Sequence, residues 1–194
     1  MDSMTYIRQY LDNSLEARKR LNKDEELLEK IESVSKLIVQ AYGEGKKVLI
    51  AGNGGSAGDA QHIAAEFVSR FLYDRPGLPA IALTTDSSML TAIGNDYGFE
   101  RLFSRQVQAQ GMDGDIFIGI STSGNSKNII AAVVEAKKKG ITTVALCGSG
   151  GELPSIVDIA LQVPSDSTPY IQESHICIGH VICAYVEAQV FPRD

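Results

Sequence analysis

From Lys46 onward the chain alternates short β-rich apolar runs with helical stretches, and this alternation constrains the fold more than any other feature. The runs are Lys47–Ala51, Ala80–Leu83, Asp115–Ile120, Thr142–Cys147 and Ile156–Val163. Strands separated by helices imply βαβ crossovers and a parallel sheet covered on both faces. The expected fold class is therefore α/β, a single doubly wound domain with a five-stranded parallel sheet flanked by helices. Gly43–Gly45, Gly111–Gly114 and Gly140 each follow a helical stretch, where a left-handed stop is expected. A last helix is expected over about Tyr170–Val190, with Pro192 beyond it.

Two helices precede this core. Ile7, Leu11 and Leu15 form the stripe of one, Leu27, Ile31, Val34, Ile38 and Ala41 that of the other, and Asn22 to Asp24 marks the break. The pair, residues 1–44, has no partner layer of its own. Its stripes are expected to pack on the core, residues 45–194, or on another subunit.

With 194 residues and 44% hydrophobic content, the chain suits one domain with a sizeable core that needs no disulfides. A formal charge of −6 and the lack of a dense Lys/Arg run argue against nucleic acid as a partner. Arg18, Lys19, Arg20 and Lys23 read as the solvated end of a helix. Cys147, Cys177 and Cys183 are odd in number, lie in apolar segments and lack CxxC spacing, so reduced thiols in a reducing compartment are expected. The start, MDSMTYIRQYLDNS, has no apolar signal core, and no apolar stretch approaches the ~20 residues that span a bilayer. No membrane partner and a cytoplasmic location follow as expectations.

In open α/β sheets ligands bind at the carboxyl ends of the strands, so the turns after the strands carry most weight. After Phe117–Ile120 comes Ser121-Thr122-Ser123-Gly124-Asn125-Ser126, directly before a helical stretch. Four hydroxyls and the free N–H groups of a helix N-terminus suit a phosphate monoester, whereas a plain helix cap needs only one of those hydroxyls. The turn Gly52-Asn53-Gly54-Gly55-Ser56-Ala57, after Val48–Ala51, also opens a helix. Read as G-x-G-x-x-A with Asp86 after the next strand, it resembles a dinucleotide fingerprint. Against that reading, Asn53 places a side chain where a pyrophosphate needs close backbone approach. One small ligand between the two turns explains both.

The chain has three histidines, and all fall in two helical segments. His62 and Glu66 are four apart and share a helix face among Ile63, Ala64, Ala65, Phe67 and Val68, which reads as a mostly buried helix. A buried His and Glu need a partner, and a metal or a substrate would serve. Gln172, Glu173, Ser174, His175 and His180 lie on the last helix. Gln172 and His180 are separated by roughly 12 Å along an ideal helix, near the limit for sharing one ion.

Taken together, the strings AGNGGSAGDAQHIAAEF, LTAIGNDYGFE, GISTSGNSKNI and IQESHICIGH resemble those of the phosphoheptose isomerases, a branch of the sugar isomerase (SIS) domain superfamily. The likeness runs from the N-terminal helices to the last helix and implies a flavodoxin-like SIS fold. It implies substrate contacts from Asn53, Gly54, Gly55, Glu66, Asn95, Asp96, Ser121, Thr122, Ser123, Ser126 and Gln172, with the serine turn taking the phosphate. His62, Glu66, Gln172 and His180 would match the family's zinc positions, one ion per subunit. The resemblance further implies a homotetramer that turns sedoheptulose 7-phosphate into D-glycero-D-manno-heptose 7-phosphate, the first step toward activated heptose for lipopolysaccharide or capsule.

Aldose–ketose isomerisation moves a proton between adjacent carbons through an enediol, so it needs a carboxylate-like base and a group that serves the oxygens. Glu66 fits the first role and His180 the second; a zinc ion would act as a Lewis acid or as a structural element. A rival of another class is a non-catalytic SIS regulator like the protein that associates with the bacterial replication initiator. That relative lacks the carboxylate and imidazole corresponding to Glu66 and His180, and their presence here favours the enzyme.

Overall fold

The structure, a computed structural model, describes residues 2–193. Helix α1 (Ser3–Leu21) starts at Asp2, whose carboxylate accepts from the Met4 and Thr5 N–H groups. Helix α2 (Glu25–Gly43) starts at Asp24, which accepts from Leu27 N–H, so the expected break between the two helices is made by a capping carboxylate. Arg18, Lys19 and Arg20 fall in the last turn of α1, where they oppose the helix dipole.

The core then alternates β1 (Val48–Gly52), α3 (Gly55–Val68), β2 (Ala80–Ala82), α4 (Ser87–Tyr97), a 3-10 turn (Phe99–Arg101), α5 (Leu102–Gln110), β3 (Ile116–Ser121), α6 (Lys127–Lys138), β4 (Thr142–Cys147), α7 (Leu153–Ile156), β5 (Ile159–Gln162) and α8 (Thr168–Val190). The five strands are parallel, in the order β2-β1-β3-β4-β5. The fold class is thus the one expected. Every residue of β1 and β3 is buried, as a sheet covered on both faces requires. One face packs Val34, Ile38, Ile63, Phe67, Ile178 and Val186 from α2, α3 and α8; the other packs Phe103, Val107, Ile129 and Val133 from α5 and α6.

The run Ile156–Val163 is not all strand. Its first residue ends α7, with Pro154 in the first turn, where a preset φ and a missing N–H do no harm. Asp158 then accepts from Thr143 N–H and hydroxyl (2.8 and 2.6 Å), and β5 begins only after that anchor. Gly45 and Gly140 take the positive φ of left-handed stops after α2 and α6, whereas α5 ends at Gly111 in extended backbone and Gly114 takes its positive φ in the turn before β3.

The two N-terminal helices differ. The α2 stripe of Leu27, Ile31, Val34, Ile38 and Ala41 is buried against α8 and β5. On α1 only Ser14 and Ala17 are buried, while Ile7, Leu11 and Leu15 are 49%, 60% and 52% exposed. The Ser14 hydroxyl on Glu173 and an edge-on Tyr10–Tyr170 pair tie α1 to α8. Cys147, Cys177 and Cys183 are free thiols. Among the described residues no helix is long and apolar enough to cross a membrane.

Candidate active site

The strand order reverses direction at β1: the chain runs out to β2 and returns to β3 on the other side. The crevice at the carboxyl ends of β1 and β3 is where such a sheet places a ligand. Both turns that open there lead into helices without a side-chain cap. Gly54 starts α3 at φ 56°, a conformation that disfavours any Cβ, and Ser126 starts α6 without capping it. The first N–H groups of both helices therefore lack side-chain acceptors, and the dipoles there favour an anion. A reciprocal amide pair joins the turns: Asn53 donates to Asn128 at 2.9 Å and Asn128 donates back at 2.8 Å.

The serine turn is preorganised. Ser121 Oγ lies 2.8 Å from Ser126 Oγ, a contact that uses one of the two hydroxyl protons and leaves the other for a ligand. Ser123 Oγ accepts from Asn125 N–H, and Asn125 in turn accepts from Glu152 N–H. Gly124 has φ 67°, and a Cβ there would lie 2.2 Å from the Gly150 carbonyl oxygen, so only glycine lets this turn nest against the β4 loop.

A second centre lies where α3 meets α8. Gly179 permits the approach, since a Cβ there would sit 2.7 Å from Ile63 Cδ1. His62 Nε2 is 3.0 Å from Glu66 Oε1, and His180 Nε2 is 3.3 Å from His62 Nε2. Two imidazole nitrogens at that distance repel unless one ring donates a proton or a cation lies between them. The ligand atoms of His62, Glu66 and His180 all lie within 4.8 Å of one another, an N,N,O set that fits a borderline divalent ion. The expectation of a mostly buried His62 and Glu66 is corrected: α3 buries Ser56, Ala60, Ile63, Ala64 and Phe67, whereas His62, Ala65 and Val68 are exposed and Glu66 is partly so. At 100° per residue, His62 and Glu66 fall on the flank of that buried stripe.

Gln172 lies against the glycine turn on the same seam. A Cβ on Gly55 would be 2.7 Å from Gln172 Nε2, so the amide lies over the glycine turn, while His180 is roughly 12 Å further along α8. The structure thus brings His62, Glu66 and His180 together and sets the Gln172 amide beside Gly55. Asn95 and Asp96 are exposed on α4 and bond to each other at 2.8 Å. Asp86, the acidic residue of the dinucleotide reading, caps α4 by accepting from Met89 N–H at 2.8 Å. The pocket beside the glycine turn, lined by Asn53, Ala57, Thr84, Leu90, Phe99 and Phe103, holds only about 200 Å³.

Sequence reasoning passed over Asn128, whose signal was its place in the first turn after the serine loop. It also left His175 without a role. That imidazole is fully buried, and neither ring nitrogen makes a hydrogen bond of good geometry among the described residues, the Cys147 backbone being close enough only for a weak pull. Burial pushes its pKa from 6.5 down to about 4, against an opposing pull from the Cys147 carbonyl.

Comparison with known proteins places the chain in a family. Residues 9–148 match the SIS domain family. The phosphoheptose isomerase of Sulfurimonas denitrificans is 61% identical over 96% of this chain and 96% of its own length. That of Aneurinibacillus thermoaerophilus is 59% identical over 96% of this chain and 94% of its own. Among solved structures, a phosphoheptose isomerase from Francisella tularensis superimposes with a TM-score of 0.92 at 41% identity, covering 96% of this chain and 98% of that one. One from Neisseria gonorrhoeae gives 0.90 at 41% identity, covering 96% and 100%.

Proposed function

From its membership of the SIS-domain family, and within it of the phosphoheptose isomerases, we propose that this chain converts sedoheptulose 7-phosphate to D-glycero-D-manno-heptose 7-phosphate and so feeds heptose biosynthesis. The observation that carries the reading is a carboxylate on α3 and an imidazole on α8 held together at the seam of the two helices, α3 being the helix that opens from the glycine turn. Glu66 takes the proton from C1 of the ketose and returns it to C2. His180 protonates O2 and accepts the proton from O1, so the enediol forms and collapses with no net change in protons. The non-catalytic regulator is not favoured, because the relatives that match over nearly the full chain are isomerases. The test is incubation of the protein with pentose, hexose and heptose phosphates, with aldose–ketose exchange followed by NMR. Exchange confined to the heptose supports the reading, and no exchange with any of them overturns it.

The phosphate is assigned to Ser121, Thr122, Ser123 and Ser126, with the N–H groups of α6 and α3 beside them. Hydrogen bonds to a charged group contribute about 1.5–3 kcal/mol each, so the Ser121→Ala, Ser123→Ala double variant should raise KM at least about tenfold. Turnover of bound substrate should change much less. An unchanged KM would remove the phosphate from this turn.

His62, Glu66 and His180 would hold a zinc ion, with Gln172 the remaining matched position, and the ion would supply Lewis-acid polarisation of a sugar oxygen. Protein purified without chelator is expected to carry about one zinc per chain by elemental analysis. Metal-free protein with full activity would leave these three side chains as an organic acid/base group. The exposed Ile7, Leu11 and Leu15 stripe on α1 is the surface we assign to contact between subunits of a homotetramer. Three free cysteines suit a cytoplasmic location.

A further inference from the structure

A buried ion pair lies one step behind the acid/base group. Arg75 and Glu187 are 2% and 1% exposed in their side chains, and Arg75 Nε donates to Glu187 Oε1 at 3.0 Å. Burying two charges is costly, and an apolar pair of similar size often stabilises a fold as well or better, so stability alone is a weak reason for it.

The remaining bonds of the pair show what it holds. Arg75 donates to the carbonyls of Glu66 (2.7 Å), Phe67 (2.6 Å) and Ser69 (2.9 Å), the unsatisfied end of the helix that carries His62 and Glu66. It reaches Pro76 O as well. Glu187 accepts from Phe71 N–H (2.8 Å) and Leu72 N–H (2.7 Å), which fixes the segment leaving that helix. The Phe71 ring packs on the His180 imidazole with centroids 5.4 Å apart. Glu187 and His180 are seven residues apart on α8 and so lie on one face. Although burial works the other way, the two N–H groups and Arg75 hold the Glu187 carboxyl below the usual carboxylate range, which keeps it charged.

We infer that Arg75 and Glu187 are positioning residues for the isomerase: the pair locks the end of α3 to α8 and seats Phe71 against His180, and thereby sets the geometry between Glu66 and His180. The inference rests on the catalytic reading of those two residues. Displacements of a fraction of an ångström to one ångström at reacting groups reduce rate strongly while leaving distant substrate contacts intact.

Glu187→Gln keeps the shape but can no longer accept from both N–H groups and Arg75, and Arg75→Lys keeps the charge but loses the fork. Each is expected to lower kcat roughly tenfold with KM changed less than about threefold. Each should also move the His180 ring C–H resonance, which the Phe71 ring shifts, while His175 stays in place. With only three histidines in the chain, the signals are readily assigned. Normal kcat, or a loss of kcat with an unmoved His180 resonance, overturns the inference. Should these variants fail to fold, Phe71→Leu leaves the ion pair intact and should still lower kcat at constant KM, and normal kcat in that variant overturns it too. Failure of the catalytic reading looks different, because Glu66→Gln would then turn over normally while Glu187→Gln still moves the His180 signal.

Discussion

Glu66→Gln is expected to lower turnover by at least ~10²-fold while KM stays close to that of the parent protein. The amide keeps the length and planarity of the side chain, so the 3.0 Å contact with His62 survives with the amide oxygen accepting. What is lost is the group that removes a proton from carbon. His180→Gln should act on the same step from the other side, since an amide can hydrogen-bond a sugar oxygen but cannot move a proton to and from it. Both changes also put a weaker amide donor into the His62–Glu66–His180 set, so zinc content must be measured alongside. A loss of turnover with zinc retained assigns the proton transfer to the side chain itself. Near-normal turnover in both variants, with no solvent deuterium entering at the carbon next to the carbonyl, would rule out the enediol route.

The parts of this site that lie close together in sequence were legible before the structure was known. His62 and Glu66 are one helical turn apart, and the serine turn is six consecutive residues, so local geometry sufficed to associate them. The strands were legible because a sheet buried on both faces writes itself as continuous apolar runs, and β4 matched its expected span Thr142–Cys147 to the residue. Less was visible where tertiary contacts decide. The side of α3 that His62 would occupy depended on where α8 packs, and α8 packs where Gly179 lets Ile63 in. Nothing in the periodicity of α1 told whether Ile7, Leu11 and Leu15 would face the core, because an apolar stripe looks the same whether its own chain or another covers it. Arg75 and Asn128 carry no local sequence signal that would single out what they bond to. Their partners, Glu187 and Asn53, lie 112 and 75 residues away.

The buried imidazole of His175 should make the fold sensitive to mild acid, and the sign follows from its displaced pKa. In the folded chain burial holds it at about 4, against 6.5 when exposed. Above pH 6.5 the ring is neutral in both states and its burial carries no protonation penalty. As the pH falls below 6.5 the unfolded chain takes up a proton that the folded chain refuses, and the balance shifts toward unfolding until the folded pKa is reached. Across that window the difference amounts to about 3 kcal/mol, on the order of a hundredfold in the folding equilibrium. His175→Leu removes the titration and replaces two unpartnered ring nitrogens by apolar surface, so at pH 7.5 it should be at least nearly as stable as the parent. Glu187, held below the usual 4.5, adds an acid sensitivity of its own, yet its window lies lower and is common to both proteins. The measurement is the urea midpoint at fixed protein concentration from pH 7.5 to 4.5. The parent should lose stability between pH 6.5 and 4.5 that the variant keeps, whereas parallel curves would mean that His175 finds a partner in the folded protein after all.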